Sequence, residues 1–392
     1  MDVGLAKSLN PVCPTCGSLP IGGPRSWSCP GCGASFRGLR GIIDLRTAED
    51  EFLSNRDDWD YANGLDADFD RLDFRGLLER YFDLSPEIPP RLRDRQIAHI
   101  LTAPDRARMW LDALGSDEAA PLLDLGCGSG SFLASVAGSG RPVAGVDIAL
   151  RWLIVARKRL DEEGLAHVPL ACGCAERLPF ADRTFAGVVA GDVIEHVADQ
   201  GATLAEAHRV LRPGGRLFLA APNRFSLAPE PHVQVWGVGF LPRRWMAGYV
   251  RRVSGRDFRA IRTLGSGEWK RLLGRSPFRG GRIQAPGLPA ADLEHFGRFK
   301  RLLTRTYNRV VSSRPGQEAA RRFGPLFHVV CTRQPDSQGP EAPPRPFAEA
   351  PRGQEHQRDR QGLEESSAIS PTGKDGHPEP DDLNREDRRA GQ

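Results

Sequence analysis

The stretch Pro121-Leu-Leu-Asp-Leu-Gly-Cys-Gly-Ser-Gly130 decides the fold. Its apolar start predicts a short buried strand, and the apolar spacing of residues 131–137 predicts a helix directly after it. Gly126, Gly128 and Gly130 stand between the two, where bare backbone admits a ligand and a positive φ costs little. This alternate spacing differs from the G-x-G-x-x-G pattern of a dinucleotide-binding loop. The stretch therefore predicts a strand, a ligand-binding turn and a helix.

A second predicted strand, Arg141-Pro-Val-Ala-Gly-Val-Asp147, ends in a carboxylate. An acid about twenty residues after the first glycine suits two adjacent ribose hydroxyls. Predicted strands and helices alternate beyond it, which implies a parallel sheet with helices on both faces. Ligands of such sheets bind at the carboxyl ends of the strands, so we expect the site there.

Four further motifs follow in the sequence: Leu178-Pro-Phe-Ala-Asp-Arg-Thr-Phe185, Val188-Val-Ala-Gly-Asp-Val-Ile-Glu-His-Val197, Arg209-Val-Leu-Arg-Pro-Gly-Gly215 and Leu217-Phe-Leu-Ala-Ala-Pro-Asn-Arg224. With them, residues 105–224 closely resemble class I S-adenosylmethionine-dependent methyltransferases, nearest to the quinone-biosynthesis O-methyltransferases. The resemblance implies an α/β fold with a doubly wound, mostly parallel, seven-stranded Rossmann-like sheet and an antiparallel last strand at 325–332. It implies an enzyme that methylates a small-molecule or lipid-linked acceptor, with a hydroxyl preferred.

The resemblance also assigns cofactor-binding residues. The glycine turn would face the methionine part of S-adenosylmethionine, Asp147 would hold the ribose, and Cys174 to Glu176 would border the adenine. The family usually has Asp at position 174, and the thiol of Cys174 is a weak acceptor. The full set is Asp124, Gly126, Cys127, Gly128, Gly130, Asp147, Ile148, Cys174, Ala175, Glu176 and Asp192.

Candidate catalytic residues follow the fourth predicted strand. Methyl transfer is an in-line displacement, so the enzyme mainly aligns the acceptor, and a base is needed only when the acceptor loses a proton. We predict Asp192, Glu195 and His196 at the cleft floor, with Asp192 or His196 as the base. Some relatives bind a divalent metal through an acid-x-x-Glu-His motif and a downstream histidine, which Asp192, Glu195, His196 and His232 match. The alternative is a Glu-His pair that orders the cleft without metal.

Two cysteine pairs, Cys13-Pro-Thr-Cys16-Gly17 and Cys29-Pro-Gly-Cys32-Gly33, precede this region. Their spacing predicts a closed tetrahedral site of four thiolates, which is structural because no position is open, and zinc is preferred over iron. The module resembles a zinc ribbon. Ribbon-bearing methyltransferases that act on ribosomal RNA make RNA methylation an alternative function. Few basic residues accompany the ribbon, so we expect nucleic acid less than a small acceptor.

Length and composition suggest how the chain is divided. With 392 residues, 40% of them hydrophobic, two domains and tails are expected. We predict a zinc ribbon at 10–46, a helical connector or cap at 47–104, a methyltransferase domain at 105–333 with a basic insertion at 225–282, and a disordered tail at 334–392. No apolar run reaches the length of a membrane span and no signal peptide is apparent, so the expected compartment is the cytoplasm.

The insertion is strongly basic: residues 243–282 hold twelve Lys or Arg against Asp257 and Glu268. We expect Phe240, Leu241, Trp245, Met246, Tyr249 and Val250 to share one helical face. Such a face beside arginines predicts peripheral contact of 240–282 with an anionic membrane. The alternative is a lid helix docked on the core. A third function, a non-catalytic S-adenosylmethionine-binding scaffold, also stays open because Cys174 and Ala186 depart from the family pattern.

Overall fold

A mixed sheet of eleven strands lies at the centre of the computed structural model, which describes residues 9–335 except 24, 86–87, 89, 102, 116–119 and 289–297. Across the sheet the order is β1-β2-β3-β4-β7-β6-β5-β8-β9-β11-β10. The strands are β1 Ile21–Gly22, β2 Ser26–Ser28, β3 Ser35–Leu39, β4 Ile42–Asp44, β5 Leu122–Leu125, β6 Val143–Asp147, β7 Leu170–Cys172, β8 Phe185–Gly191, β9 Leu211–Pro222, β10 Arg282–Gln284 and β11 Leu326–Thr332.

Helices and a short 3₁₀ turn connect these strands. The helices are α1 Asn55–Asp68, α2 Phe74–Asp83, α3 Pro90–Leu101, α4 Ala103–Leu114, α5 Ser131–Ala137, α6 Leu150–Glu162, α7 Gln200–Val210, α8 Arg243–Ser254, α9 Ser266–Arg275, α10 Arg298–Val311 and α11 Arg314–Phe323, and the 3₁₀ turn is Val238–Phe240. The predicted tail lies outside the described residues from 336 onward.

The predicted α/β sheet is present, and the strands from β5 to β11 number seven, while the sheet as a whole has eleven in the described part of the chain. Strands β7, β6, β5, β8 and β9 are parallel, and β11 is antiparallel to β9 as expected. Four N-terminal strands extend the sheet, because β4 pairs in parallel with β7 through Ile43 opposite Ala171 and Asp44 opposite Cys172. This pairing uses the open backbone groups of β7, which would otherwise form a sheet edge.

The side chains of β5 point alternately to the two faces of the sheet, and an apolar layer covers each face. Leu122 packs in the layer that holds Trp59, while Leu123 and Leu125 pack in the layer that holds Trp269. Successive side chains of a strand point to opposite faces, so a fully apolar strand must be covered on both. Strands β6 and β7 follow β5 on one side and β8 and β9 follow it on the other, so the order of strand addition reverses at β5 and leaves a crevice at the carboxyl ends of these parallel strands.

A buried carboxylate ties the N-terminal segment to the end of β6. Asp58 of α1 is fully buried and accepts hydrogen bonds from Arg46 (2.8 Å), the Leu150 backbone (2.8 Å) and Arg151 (2.6 Å). The side chain of Arg46 is 1% exposed and donates also to the carbonyl of Ile148. The network fixes the backbone directly after Asp147, which is a predicted cofactor residue.

Candidate functional site

A cleft of about 550 Å³ opens at the carboxyl ends of β5, β8 and β9. Asp124 and the glycine turn form one part of its lining, and residues after β8 and β9 form another. Helices α3 and α4 contribute a third part. The lining residues are Leu92, Gln96, His99, Ile100, Arg106, Ala107, Trp110, Asp124, Gly126, Cys127, Gly128, Ser129, Ser131, Phe132, Trp152, Gly191, Asp192, Pro222, Pro231, His196 and His232.

The three glycines of the turn all have positive φ, but they face different surroundings. A Cβ on Gly126 would lie 2.2 Å from Cγ2 of Val193, and a Cβ on Gly130 would lie 3.1 Å from the Cβ of Ala156. A Cβ on Gly128 would meet nothing within 4 Å. The Cβ positions of Gly126 and Gly130 thus face packed side chains and that of Gly128 faces open space, and the expectation that a ligand approaches all three stays a prediction.

Two carboxyl groups flank the turn, of which Asp124 is buried and Asp147 is half-buried. Asp147 accepts from the backbone N–H of Gly128 (2.8 Å) and of Ala149 (2.9 Å), and burial raises its pKa to about 6. Asp124 is 4% exposed, and its Oδ2 has no hydrogen-bond partner among the described residues. Burial, followed by the nearby charge of Asp147, raises the pKa of Asp124 well above its usual value. A buried polar atom without a partner costs stability, which a cationic ligand would recover.

The residues predicted to border the adenine do not line this cleft. The thiol of Cys174 lies 3.9 Å from the carbonyl of Ala48, in the segment that joins β4 to α1. Glu176 accepts from the backbone of Ala198 (2.8 Å), and Ala175 is buried in the apolar layer. The carbonyl of Ile148, also predicted to contact cofactor, accepts from Arg46. The structure gives each of these residues a contact within the chain, and their cofactor role stays a prediction.

Glu195, His196 and His232 form a cluster whose ligand atoms all lie within 4.8 Å of one another. Nε2 of His196 is 3.1 Å from Nε2 of His232, and Oε1 of Glu195 is 3.8 Å from the latter. Glu195 is 1% exposed, and neither of its oxygens has a partner among the described residues. Asp192, which has a positive φ of 56°, lies in the same cleft but outside this close set.

In the protein without metal, the surroundings favour the neutral forms of Glu195 and His196. Burial raises the pKa of Glu195 well above its usual value, and nearby Asp192 adds to the effect. Burial and then His232 lower the pKa of His196 to about 3, so its imidazole is neutral. Neutral imidazole is the form of histidine that binds metal.

Glu230 is a residue of the site that sequence reasoning missed. Its Oε1 lies 2.6 Å from Nδ1 of His232, and its Oε2 accepts from the backbone N–H of His232 at 2.8 Å. A carboxylate on Nδ1 places the proton there and leaves the Nε2 lone pair free, as in many metal sites. The sequence signal was present as an acid two residues before the candidate histidine.

Sequence reasoning also did not identify which residues of α3 and α4 line the cleft. The ring of Trp110 covers Gly191, where an added Cβ would lie 2.2 Å from it. Arg106 is 8% exposed and reaches into the same wall. Asn223, directly after β9, donates to the carbonyls of Arg322 and Gly324, and its Oδ1 accepts from the backbone N–H of Phe225. Helix packing of this kind has no local sequence signal.

The four predicted ribbon cysteines also come together. Their sulfur atoms lie within 4.8 Å of one another, and Gly17 and Gly33 after each pair have positive φ. The N–H groups of these glycines donate to the carbonyls of Cys13 and Cys29, both at 2.9 Å. Thiolates in this arrangement form the donor set of a tetrahedral zinc or iron site.

Part of the chain that forms this cleft is similar in sequence to a known protein family. Residues 123–219 match the family model described as methyltransferase domain. This segment is a methyltransferase domain. It contains β5 to β9 up to Leu219, and therefore both the glycine turn and the Asp192 to His196 turn.

Several curated proteins are similar to part of this chain. An uncharacterized 37.1 kDa protein in transposon TN4556 of Streptomyces fradiae is 39% identical over 143 residues, which cover 34% of this chain and 41% of that protein. The ubiquinone biosynthesis O-methyltransferase of Pseudomonas aeruginosa strain LESB58 is 32% identical, over 38% of this chain and 61% of its own. The demethylmenaquinone methyltransferase of Symbiobacterium thermophilum is 41% identical, over 31% of this chain and 50% of its own.

The match to these relatives is thus partial, because the chain spans between 41% and 61% of their lengths. At the level of the domain, the predicted methyltransferase is confirmed. None of the helices that the structure describes is long and apolar enough to cross a membrane.

Proposed function

We propose that this chain transfers a methyl group from S-adenosylmethionine to a hydroxyl group of a small or lipid-linked acceptor. The main support for this proposal is that one cleft holds both the open space at Gly128 and the polar groups Asp192, His196 and His232. A donor and an acceptor held in one cleft react in line without diffusing. The name of the similar O-methyltransferase supports a hydroxyl as the acceptor group.

The residues present fit S-adenosylmethionine. Gly128 leaves room beside its backbone, and the unpartnered Oδ2 of Asp124 is a partner for the ammonium group. Asp147 is a ribose acceptor, because each carboxylate oxygen keeps a lone pair after accepting one backbone N–H. When bound, the cofactor supplies an electrophilic methyl group.

The chain's own groups align the acceptor and accept its proton. The rings of Phe132 and Trp110 form an apolar wall that excludes water from the cleft. Asp192 is exposed in the cleft, so its carboxylate can reach a hydroxyl proton of the acceptor. Asp192 therefore serves as the base in this proposal, because a pKa of about 3 makes the imidazole of His196 a weak base.

The cluster of Glu195, His196 and His232 fits a divalent cation. It offers one buried carboxylate without partners and two imidazole nitrogens 3.1 Å apart, one of them oriented by Glu230. Mixed carboxylate and imidazole donors suit several divalent metals. A cation there would polarise the acceptor hydroxyl.

Calorimetric titration with S-adenosylmethionine, followed by a mass-spectrometric screen of candidate phenols and prenylated phenols for methylated product, tests the proposed activity. We expect one cofactor per chain and a product gain of one methyl group. Asp192→Asn should keep cofactor binding and lose turnover by about a hundredfold, the usual contribution of a general base. A chain that never binds the cofactor would refute the proposal, and binding without any turnover would favour the scaffold alternative.

Cobalt titration tests the cation site without relying on turnover. After removal of labile metal, Co²⁺ should give visible absorption bands of a histidine and carboxylate site in the wild type. Glu195→Gln removes the anionic ligand and should abolish these bands. Its stability without metal should stay within about 1 kcal/mol, because the lost carboxylate has no hydrogen-bond partner. Unchanged bands in Glu195→Gln, or full turnover in chelator, would exclude a metal at this cluster.

A further inference from the structure

We infer that helix α8 and the loop before it dock on an anionic lipid bilayer. The contact surface, here called the docking ridge, is formed by Trp236, Phe240, Trp245, Tyr249 and Val253. This inference goes beyond methyl transfer and does not depend on it. It rests on exposure, packing and charge in the described part of the insertion.

The docking ridge is apolar and exposed. Trp236 is 63% exposed, Trp245 55% and Val253 57%, and Phe240 is 49% exposed. Trp245, Tyr249 and Val253 follow at intervals of four residues, so they form one stripe along α8. Of the tryptophans that the structure describes, the two most exposed lie here. Exposed apolar clusters mark interaction sites, and tryptophan and tyrosine favour the membrane interface.

A small apolar core below α8 holds the docking ridge in place. Met246 and Val250 point inward and pack with Val233, Val238 and Phe258. The expectation that Trp245, Met246, Tyr249 and Val250 share one face is therefore wrong: Met246 and Val250 are buried, whereas Trp245 and Tyr249, each one position earlier, are exposed. The hydroxyl of Tyr249 also donates to the carbonyl of Trp236 at 3.0 Å. The exposed rings are thus held in place by the fold. Helix α8 packs on the protein through Met246 and Val250 and does not need the exposed rings for this packing.

Positive charge flanks the docking ridge on the same helix. Arg244, Arg251 and Arg252 are exposed, and none has an acidic partner among the described residues. The guanidinium of Arg244 lies 5.1 Å from the ring centre of Trp245. Arginine side chains beside interfacial aromatics suit anionic headgroups above an apolar layer. The aliphatic Val253 in the stripe favours a bilayer over RNA, whose bases need flat stacking partners.

The docking ridge and the cleft share one loop. Residues 229–240 carry Pro231 and His232, which line the cleft, and also Trp236. Arg256, directly after α8, donates to the carbonyl of His232 at 3.0 Å. Docking would therefore hold the cleft wall close to the bilayer surface.

Vesicle flotation with the full chain tests the inference. Vesicles of phosphatidylcholine alone are compared with vesicles containing 30% phosphatidylglycerol, at about 0.1 M and about 0.5 M salt. We expect binding to the anionic vesicles that weakens at high salt. Two variants should each lower the affinity for anionic vesicles by about tenfold or more. One is the double variant Trp236→Ala with Trp245→Ala, and the other is the triple variant Arg244→Glu, Arg251→Glu and Arg252→Glu.

A matched variant on α9 controls for charge alone. Lys270→Glu, Arg271→Glu and Arg275→Glu reverse the same number of charges at exposed positions that lack exposed aromatic neighbours. This variant should keep most of the vesicle binding, and all variants should keep the wild-type melting temperature and cofactor affinity. Equal loss in both charge variants, no binding of the wild type, or a preference for structured RNA over anionic vesicles would overturn the inference. Cofactor titration of the same samples separates this outcome from failure of the proposed activity.

Discussion

At the residue scale, two glycines of the turn are expected to have different roles: Gly126 in packing and Gly128 in ligand binding. Gly126→Ala should destabilise the protein by about 2–4 kcal/mol, because its Cβ would lie 2.2 Å from the stiff side chain of Val193 at a strained φ. Gly128→Leu meets open space and should cost about 1–2 kcal/mol for its positive φ. It should nevertheless abolish cofactor binding, since its side chain enters the cleft. Urea denaturation and calorimetry measure the two effects. Equal cofactor affinity in Gly128→Leu and wild type would contradict this division.

The pH dependence of cofactor binding should follow Asp147, whose pKa is about 6. Ribose hydroxyls donate to the carboxylate, and the protonated acid offers one acceptor oxygen fewer. Affinity should therefore fall by about tenfold per pH unit below 6, and binding should release a proton near that pH. In the free protein the same raised pKa makes stability decrease as pH rises from about 4 to 6, because the unfolded state holds fewer protons there.

Calorimetry from pH 5 to 7.5, in two buffers of different ionisation enthalpy, measures this linkage. Asp147→Asn is the control: its affinity should be lower and should lose most of the slope. A remaining slope would point to Asp124, whose pKa is also raised. A flat profile for the wild type would show that Asp147 does not hold the cofactor.

Motifs could predict only part of the site at this scale. Asp124, Gly128, Asp192, Glu195 and the histidines were found because their roles follow from local order along a strand and turn. Cys174 could not be placed in the same way. Its contact with Ala48 joins residues far apart in the sequence, and neither residue signals the other.

At the scale of elements, Asp58 joins α1 to the start of α6. Asp58→Ala would leave Arg46 and Arg151 buried without their shared carboxylate, and it should destabilise the protein by about 3–5 kcal/mol. Asp60→Ala on the same helix removes an exposed carboxylate and should change stability by about 0.5 kcal/mol or less. Chemical denaturation of both variants measures the difference. Similar small losses in the two would show that the buried network contributes little.

The order of strands and helices was largely predictable, because β5, α5 and β6 each carry their own periodic pattern. The antiparallel β11 followed from the family resemblance. The parallel pairing of β4 with β7 was not predictable, since Ile42–Asp44 is too short to show a period. Strand β4 pairs with β7 because β7 has a free edge and because Arg46, just after β4, forms an ion pair with Asp58.

At the scale of the whole molecule, the cysteine module is continuous with the cleft. Leu9 packs in the apolar layer that contains β8 and β9, and the backbone N–H of Val12 donates to the carbonyl of Pro179 at 2.8 Å. After β4 the chain runs past the site: Glu51 pairs with Arg262 at 2.9 Å, and the ring of Phe52 lies 5.3 Å from that of His196. The metal at the cysteines is therefore expected to influence how firmly this segment covers the site.

The predicted zinc gives the test at this scale. The purified chain should hold one zinc at the cysteines, and Cys29→Ser should lose it because Cys29 is a buried member of the four. Without zinc, residues 9–46 have too little apolar surface to fold alone, so the melting temperature should drop while the glycine turn still binds cofactor, more weakly. Cys331→Ser, a buried cysteine of β11 outside the four, is the matched control and should keep its zinc. Elemental analysis with thermal melts measures both, and visible iron-thiolate absorption, or four freely titrating thiols in the wild type, would reject zinc.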